Sequence, residues 1–166
     1  GGYLLVGNAS STDGDVTGNH GASDYWVVRI SNSGNIIWQK SFGGTSTDIA
    51  RGVIQTLDGK LLVIGYSRSS NGNVTGAHGG YDYWLCKLDT SGNLIWQKTY
   101  GGTKDELAYT VKQAKDSSYV IVGYTLSNDG DVGAQNHSYK NDIWVVRADK
   151  NGSLLWSKTL GGIAND

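Results

Sequence analysis

The sequence predicts an all-β protein, and three observations carry that prediction. All six tryptophans fall at two positions of one recurring unit. Trp26, Trp84 and Trp144 mark the first position and Trp38, Trp96 and Trp156 the second, with spacings of 58 and then 60 residues in both series. Hairpin dipeptides, Asp58-Gly59, Ser91-Gly92 and Asn151-Gly152, separate short apolar runs, as they do between antiparallel strands. No apolar periodicity of helical length occurs anywhere in the chain. A repeat of this length is the mark of a tandem array of one supersecondary unit.

Repeat two, residues 45–102, is complete and serves as the template. Repeat one spans 1–44 and repeat three 103–162, and 163–166 begin a further copy. Residues 50–56 (ARGVIQT) read as a first strand, closed by the Asp58-Gly59 turn. Residues 60–67 (KLLVIGYS) form the second, and a polar loop rich in Gly, Asn and Ser follows at 69–80. Residues 82–89 (DYWLCKLD) form the third strand. Ser91-Gly92 turns the chain into the fourth, 93–100 (NLIWQKTY), and Gly101-Gly102 ends the unit. The stretches 26–44 and 84–102 share 10 of 19 positions, and 144–162 follows the same plan. The unit is therefore one element of structure read three times.

Four short antiparallel strands joined by hairpins make one blade of a β-propeller. The expected architecture is three consecutive four-stranded blades, the first lacking its first strand. The packing logic agrees. Leu61-Leu62-Val63-Ile64 is continuously apolar, which fits a strand buried on both faces. A glycine recurs in the second strand as Gly7, Gly65 and Gly123, implying close approach by another group; a tryptophan of the neighbouring blade is the expected one. Each buried tryptophan covers about 150–250 Å², so all six are expected to be largely buried, in equivalent settings. Closed propellers use about 4 to 8 blades. Three blades are thus expected to belong to a larger ring, completed by further blades of a longer chain or by other copies. The opening at Gly1-Gly2-Tyr3, in mid-strand and without Met, fits a piece of a longer protein.

Charge narrows the partners. Lys+Arg 14 against Asp+Glu 15 leaves a net charge of -1. That balance supplies no field for nucleic acid or an anionic membrane. No stretch reaches the roughly 18–20 apolar residues of a membrane span, and no signal peptide is present. Cys86 is single, and its equivalents are Val28 and Val146, so it reads as a small buried hydrophobe.

Several residues have chemical potential, and each has a structural alternative. Asp13-Gly14-Asp15 recurs as Asp129-Gly130-Asp131. Paired carboxylates beside Thr17 and Asn19 suit calcium, with Asp13, Asp15, Asp129 and Asp131 as ligands. The alternative is a turn in which Asp and Asn bond the backbone, and repeat two has Asn71-Gly72-Asn73 there. His20, His78 and His137 are followed by Asp24, Asp82 and Asp142. Ser10 lies near, but three copies of a triad argue against catalysis, and a triad is defined by geometry. A cation recurs as Arg29, Lys87 and Arg147, and an acid after the Gly pair as Asp48, Glu106 and Asp166. Strand parity separates Arg29 from Asp24, leaving the second acid as the better candidate partner, with an exposed strand-end charge of little worth as the alternative. Tyr81 and Tyr139 lie in loops, do not recur in all copies, and could stack on sugar rings.

The segment LDTSGNLIW resembles the repeat of pyrroloquinoline-quinone-type propellers. The blocks GGYLLVG, STDGDVTGNHGASDYW and SNSGNIIWQKSFGG are similar to a group of secreted bacterial proteins built from repeats of about 60 residues. The likeness spans nearly the whole chain. It implies a secreted or cell-surface propeller without implying an enzyme or a cofactor. The His and Asp residues resemble the hydrogen-bonded pins of WD-repeat propellers, a structural role shared with the tryptophans. The expected function is a non-enzymatic structural or protein-interaction scaffold, its partner a protein or glycan at the cell surface. The alternatives are a carbohydrate-binding, lectin-like propeller and a fragment of a quinoprotein-like enzyme.

Overall fold

The computed structural model describes residues 1–134 and 140–165. His137, Tyr139 and Asp166 lie outside them. The described residues form eleven strands in three antiparallel sheets. Sheet one contains β1 (Tyr3–Ala9), β2 (Asp24–Ile30) and β3 (Ile36–Phe42). Sheet two contains β4 (Asp48–Gln55), β5 (Leu61–Ser67), β6 (Asp82–Leu88) and β7 (Leu94–Tyr100). Sheet three contains β8 (Glu106–Gln113), β9 (Tyr119–Thr125), β10 (Asp142–Ala148) and β11 (Leu154–Leu160). Within each sheet, every strand pairs with the next in sequence, as antiparallel hairpin connections dictate. The first strand of each four-stranded sheet starts earlier than its apolar run. The Asp48 N–H donates to the Ser23 carbonyl at 2.6 Å, so the preceding sheet fixes where β4 begins.

Sheet two is buried on both faces, as the apolar run in β5 requires. Leu61, Val63, Trp84 and Cys86 pack toward sheet one with Tyr25 and Val27. Leu62, Ile64, Tyr83 and Leu85 pack toward sheet three with Ile121, Trp144 and Val146. The alternation along each strand is the pleat at work.

The same aromatic joint fastens both pairs of sheets. The Tyr25 hydroxyl donates to the Trp84 carbonyl at 2.9 Å, and the two rings stand 4.4 Å apart. The Tyr83 hydroxyl donates to the Trp144 carbonyl at 3.0 Å, with rings 4.6 Å apart. Each tyrosine enters over a glycine paired with that tryptophan, Gly65 with Trp84 and Gly123 with Trp144. A Cβ at Gly65 would overlap the Ile49 carbonyl oxygen and stand 2.8 Å from the Tyr25 hydroxyl. The group that approaches the strand glycine is therefore a tyrosine, not the expected tryptophan.

The tryptophans do not share one setting. Trp84 and Trp144 are fully buried. Trp26, Trp38 and Trp96 are half-buried, and Trp156 is 44% exposed. The second series docks forward, over the last hairpin of the following sheet. The Trp38 indole donates to the Thr90 carbonyl at 3.2 Å and lies on Gly92; Trp96 lies on Gly152. Trp156 has no such hairpin above it among the described residues. Burial thus follows neighbours, which one-repeat equivalence ignores.

Candidate functional site

The loop between the second and third strands of each sheet holds most of the polar chemistry. In repeat three, Asp129 accepts from the Thr103 N–H and hydroxyl, both at 2.8 Å, and Asp131 accepts from the Gly101 N–H at 3.2 Å. In repeat two, Asn71 accepts from the Thr45 N–H at 2.9 Å and Asn73 from the Gly43 N–H at 3.1 Å. Asp and Asn play one part: side-chain acceptors that latch the loop onto the Gly pair of the preceding sheet. The valine after the motif is driven into the core, Val74 and Val132 both being fully buried. Asp13 and Asp15 occupy the same positions in repeat one and are exposed. In repeat three the latch engages Asp129 and Asp131 with N–H donors, whereas a calcium site draws on 6 to 8 oxygens. Among the described residues, no group of three or more His, Cys, Asp or Glu is placed to hold a metal.

His20 and His78 pin the same loop from its other end. The His20 N–H donates to Asp24 Oδ2 at 2.9 Å, and its ring Nδ1 is 2.6 Å from the same oxygen. The His78 N–H donates to Asp82 Oδ2 at 2.7 Å, while its ring nitrogens stand 3.7 Å from Asp82 and 3.7 Å from Asp131. Asp24, Asp82 and Asp142 are all fully buried. The Oδ1 atoms of Asp24 and Asp82 accept no hydrogen bond.

Each of those oxygens faces a second buried acid across the joint between sheets. A Cβ at Gly43 would lie 2.5 Å from Asp24 Oδ1 and 2.6 Å from Asp48 Oδ2. At Gly101 it would overlap Asp82 Oδ1 and lie 2.8 Å from Glu106 Oε2. The recurring Gly pair leaves room for two carboxyl groups. Asp48 accepts from the Ser67 and Ser69 hydroxyls and the Gly44 N–H; Glu106 accepts from the Thr125 hydroxyl and the Gly102 and Ser127 N–H groups. Burial pushes the Asp82 carboxyl up to about 6, with Glu106 and Asp131 adding like charge against the lowering effect of His78. Burial also raises Asp48 and Glu106, against the hydrogen bonds they accept.

Among the described residues, the recurring cation of the third strand does not meet this second acid. Lys87 Nζ donates to Asp58 at 2.8 Å and to the Tyr119 hydroxyl at 3.2 Å. Arg147 donates to Asp116 at 2.6 Å and to the Ser118 hydroxyl at 3.1 Å. Arg29 reaches the Thr90 carbonyl at 3.0 Å. Asp58 and Asp116 belong to the first hairpin of the same sheets, whereas Asp48 and Glu106 sit at the opposite ends of their strands. Strand length therefore keeps the expected pair apart. The Asp58 carboxyl is held down to about 2, chiefly by Lys87 and then by Thr56.

Tyr81 lies edge-on to Tyr66 with ring centroids 5.3 Å apart. The Arg68 guanidinium is 5.7 Å from its ring centre. Sequence reading singled out Tyr81 but missed Tyr25 and Tyr83 as fasteners. Their signal was present: a tyrosine beside the buried Asp in two of three repeats, with Ile143 in the third. It also missed Arg51, whose only mark is that its equivalent is Tyr109. Compared with models of known protein families and with characterised proteins, the chain matches none.

Proposed function

We propose that the three sheets are consecutive blades of a β-propeller and that the protein is a secreted or cell-surface scaffold for protein interaction, without enzymatic activity. The observation that carries this reading is the identity of the two joints. Tyr25 meets Trp84 as Tyr83 meets Trp144, 59 and 61 residues apart along the chain. A joint repeated with one geometry rotates each sheet by the same amount relative to the last, and a ring of blades is the closed form of that operation. The scaffold reading draws support from the duties of the polar groups. His20, His78, Asp129 and Asp131 each act on a loop or joint, and a repeated structural duty is the opposite of a unique reactive constellation.

Electron microscopy of the purified protein tests the architecture. A ring with a central channel is expected, and an open helical stack of sheets would refute it. Titration with pyrroloquinoline quinone tests the absence of redox chemistry. No new absorbance band is expected, and a stoichiometric band would move the protein to the quinoprotein class.

A further inference from the structure

One side-chain cluster departs from the repeat. β4 and β8 each carry a bulge at their third residue pair: pairing with the second strand jumps from Ala50 to Gly52 and from Ala108 to Thr110. The skipped residues are Arg51 and Tyr109. A bulge re-aims its extra side chain away from the regular pleat, and bulges concentrate beside functional sites. Both side chains are exposed, Tyr109 by 47%, and they meet across the two sheets. The Arg51 guanidinium lies 5.3 Å from the Tyr66 ring centre and 6.0 Å from that of Tyr109. It also donates to the Tyr66 hydroxyl at 2.7 Å.

The cluster continues on both sides. Tyr109 and Tyr124 have ring centres 5.9 Å apart. On the other side Tyr66 meets Tyr81, which lies under Arg68. Arg51, Arg68 and Tyr109 are exposed on the surface of this cluster, Tyr81 and Tyr124 are half-buried beside them, and Tyr66 is buried beneath as the ring that holds Arg51. Sheet one has Asn8, Ser10 and Ser23 at the positions of Tyr66, Arg68 and Tyr81, so the surface is not part of the repeat's own framework. Among the described residues, neither Arg51 nor Arg68 pairs with a carboxylate. Their charge is held over aromatic faces, where cation–π attraction reaches to about 6 Å.

We propose that this surface binds acidic polysaccharide, a glycan bearing uronate carboxylates. Sugar rings present weakly positive C–H edges, which stack on the electron-rich faces of tyrosine. A guanidinium offers a planar fork of N–H donors matched to a carboxylate. Asp105, which accepts from the Tyr81 N–H at 2.9 Å, brings an acceptor for sugar hydroxyls to the same edge. A chain of net charge -1 lacks the many phosphate contacts on which nucleic-acid affinity rests. The proposal goes beyond the scaffold reading and gives the carbohydrate-binding expectation a place. It needs only the packing of sheet two on sheet three, not a closed ring.

The test is calorimetric titration of the whole chain with oligomers of galacturonate, glucuronate and mannuronate. At least one should bind, and its methyl-esterified form should bind about tenfold or more weakly, a loss of roughly 1.4 kcal/mol. Arg51→Gln and Tyr109→Ala should each weaken binding by a similar factor, while Tyr109→Phe, which keeps the stacking face, should not. Circular dichroism should show all three variants folded, since both positions are exposed and outside the ladder. Absence of binding across the panel would overturn the proposal, as would binding indifferent to Arg51→Gln. Equal or tighter binding of a single-stranded oligothymidylate would overturn the ligand class. None of these failures touches the scaffold reading, which is decided by microscopy.

Discussion

A buried carboxyl that faces another carboxyl makes stability depend on pH in an unusual direction. Asp82 has a folded value of about 6 against an ordinary value of 3.8. A group raised on folding contributes stability that is full below its unfolded value and is lost as pH rises through its folded value. Asp48 and Glu106 are shifted the same way. Asp58, held down to about 2, acts oppositely, but its contribution is lost only as pH falls from about 4 toward 2. Between pH 5 and 8 the raised acids decide. The thermal midpoint should therefore fall from pH 5 to pH 8. About one unit of the Asp82 shift lies above pH 5, so its share of that fall is on the order of 1.4 kcal/mol, and Asp82→Asn should flatten the slope. A midpoint that climbs with pH would show the acid pairs to be separated. The strand glycines give a second contrast at this scale. Gly65→Ala should cost at least about 1–3 kcal/mol by overpacking against Ile49 and Tyr25. Gly7→Ala, whose new carbon meets open space, should stay within about 0.5 kcal/mol. Urea denaturation of the two variants reads the difference directly.

At the scale of the element, the tryptophans grade by what lies over them. Trp84→Ala should cost about 3–5 kcal/mol, because its ring is enclosed between β5 and Tyr25. Trp156→Ala should stay within about 0.5 kcal/mol, and Trp96→Ala should fall between the two. Denaturant midpoints in that order check the assignment; equal losses would mean that Trp156 is covered in solution. The same elements show what was legible beforehand. The strands of sheet two were readable to within two residues, because hairpin dipeptides and apolar runs are local signals. Which ring meets Gly65 was not readable, since that contact joins residues from different sheets and parity alone does not say which face turns forward. The partner of Lys87 was missed for a related reason. Strand parity gave the face correctly but said nothing of which end of the sheet the acid occupied. The Arg51 surface was invisible because a bulge shifts pairing by one residue without any change in the hydrophobic pattern.

For the molecule as a whole, the joints leave two faces open. Sheet one presents a hollow of about 490 Å³ lined by Leu5, Gly7, Trp26, Val28, Gly34 and Ile36. Sheet three presents Ile143, Trp156 and Leu160, all at least 40% exposed. Gly7 and Gly34 are the counterparts of Gly65 and Gly92, and nothing lies over them. Apolar faces of this kind favour association, and a face that fits the opposite end of its own kind associates head to tail. Sedimentation across concentration should show self-association of the 166-residue chain. Ile143→Tyr, which restores the hydroxyl found at positions 25 and 83, should strengthen it, and Gly7→Phe, which fills the hollow, should abolish it. A monodisperse monomer in all three cases would mean that these faces are closed in solution by some rearrangement of the outer strands.

Tyr25 and Tyr83 also set an order in time. Each hydroxyl finds its carbonyl 59 or 61 residues further along the chain, never behind it, and Trp38 likewise waits for Thr90. On a ribosome adding about 5–20 residues per second, each ring is without its partner for roughly 3 to 12 seconds. Every sheet thus emerges with its forward face bare and is closed only by what is translated next. A pause in synthesis between repeats would lengthen that exposure, and a stop there would leave the nascent protein with an uncovered apolar face.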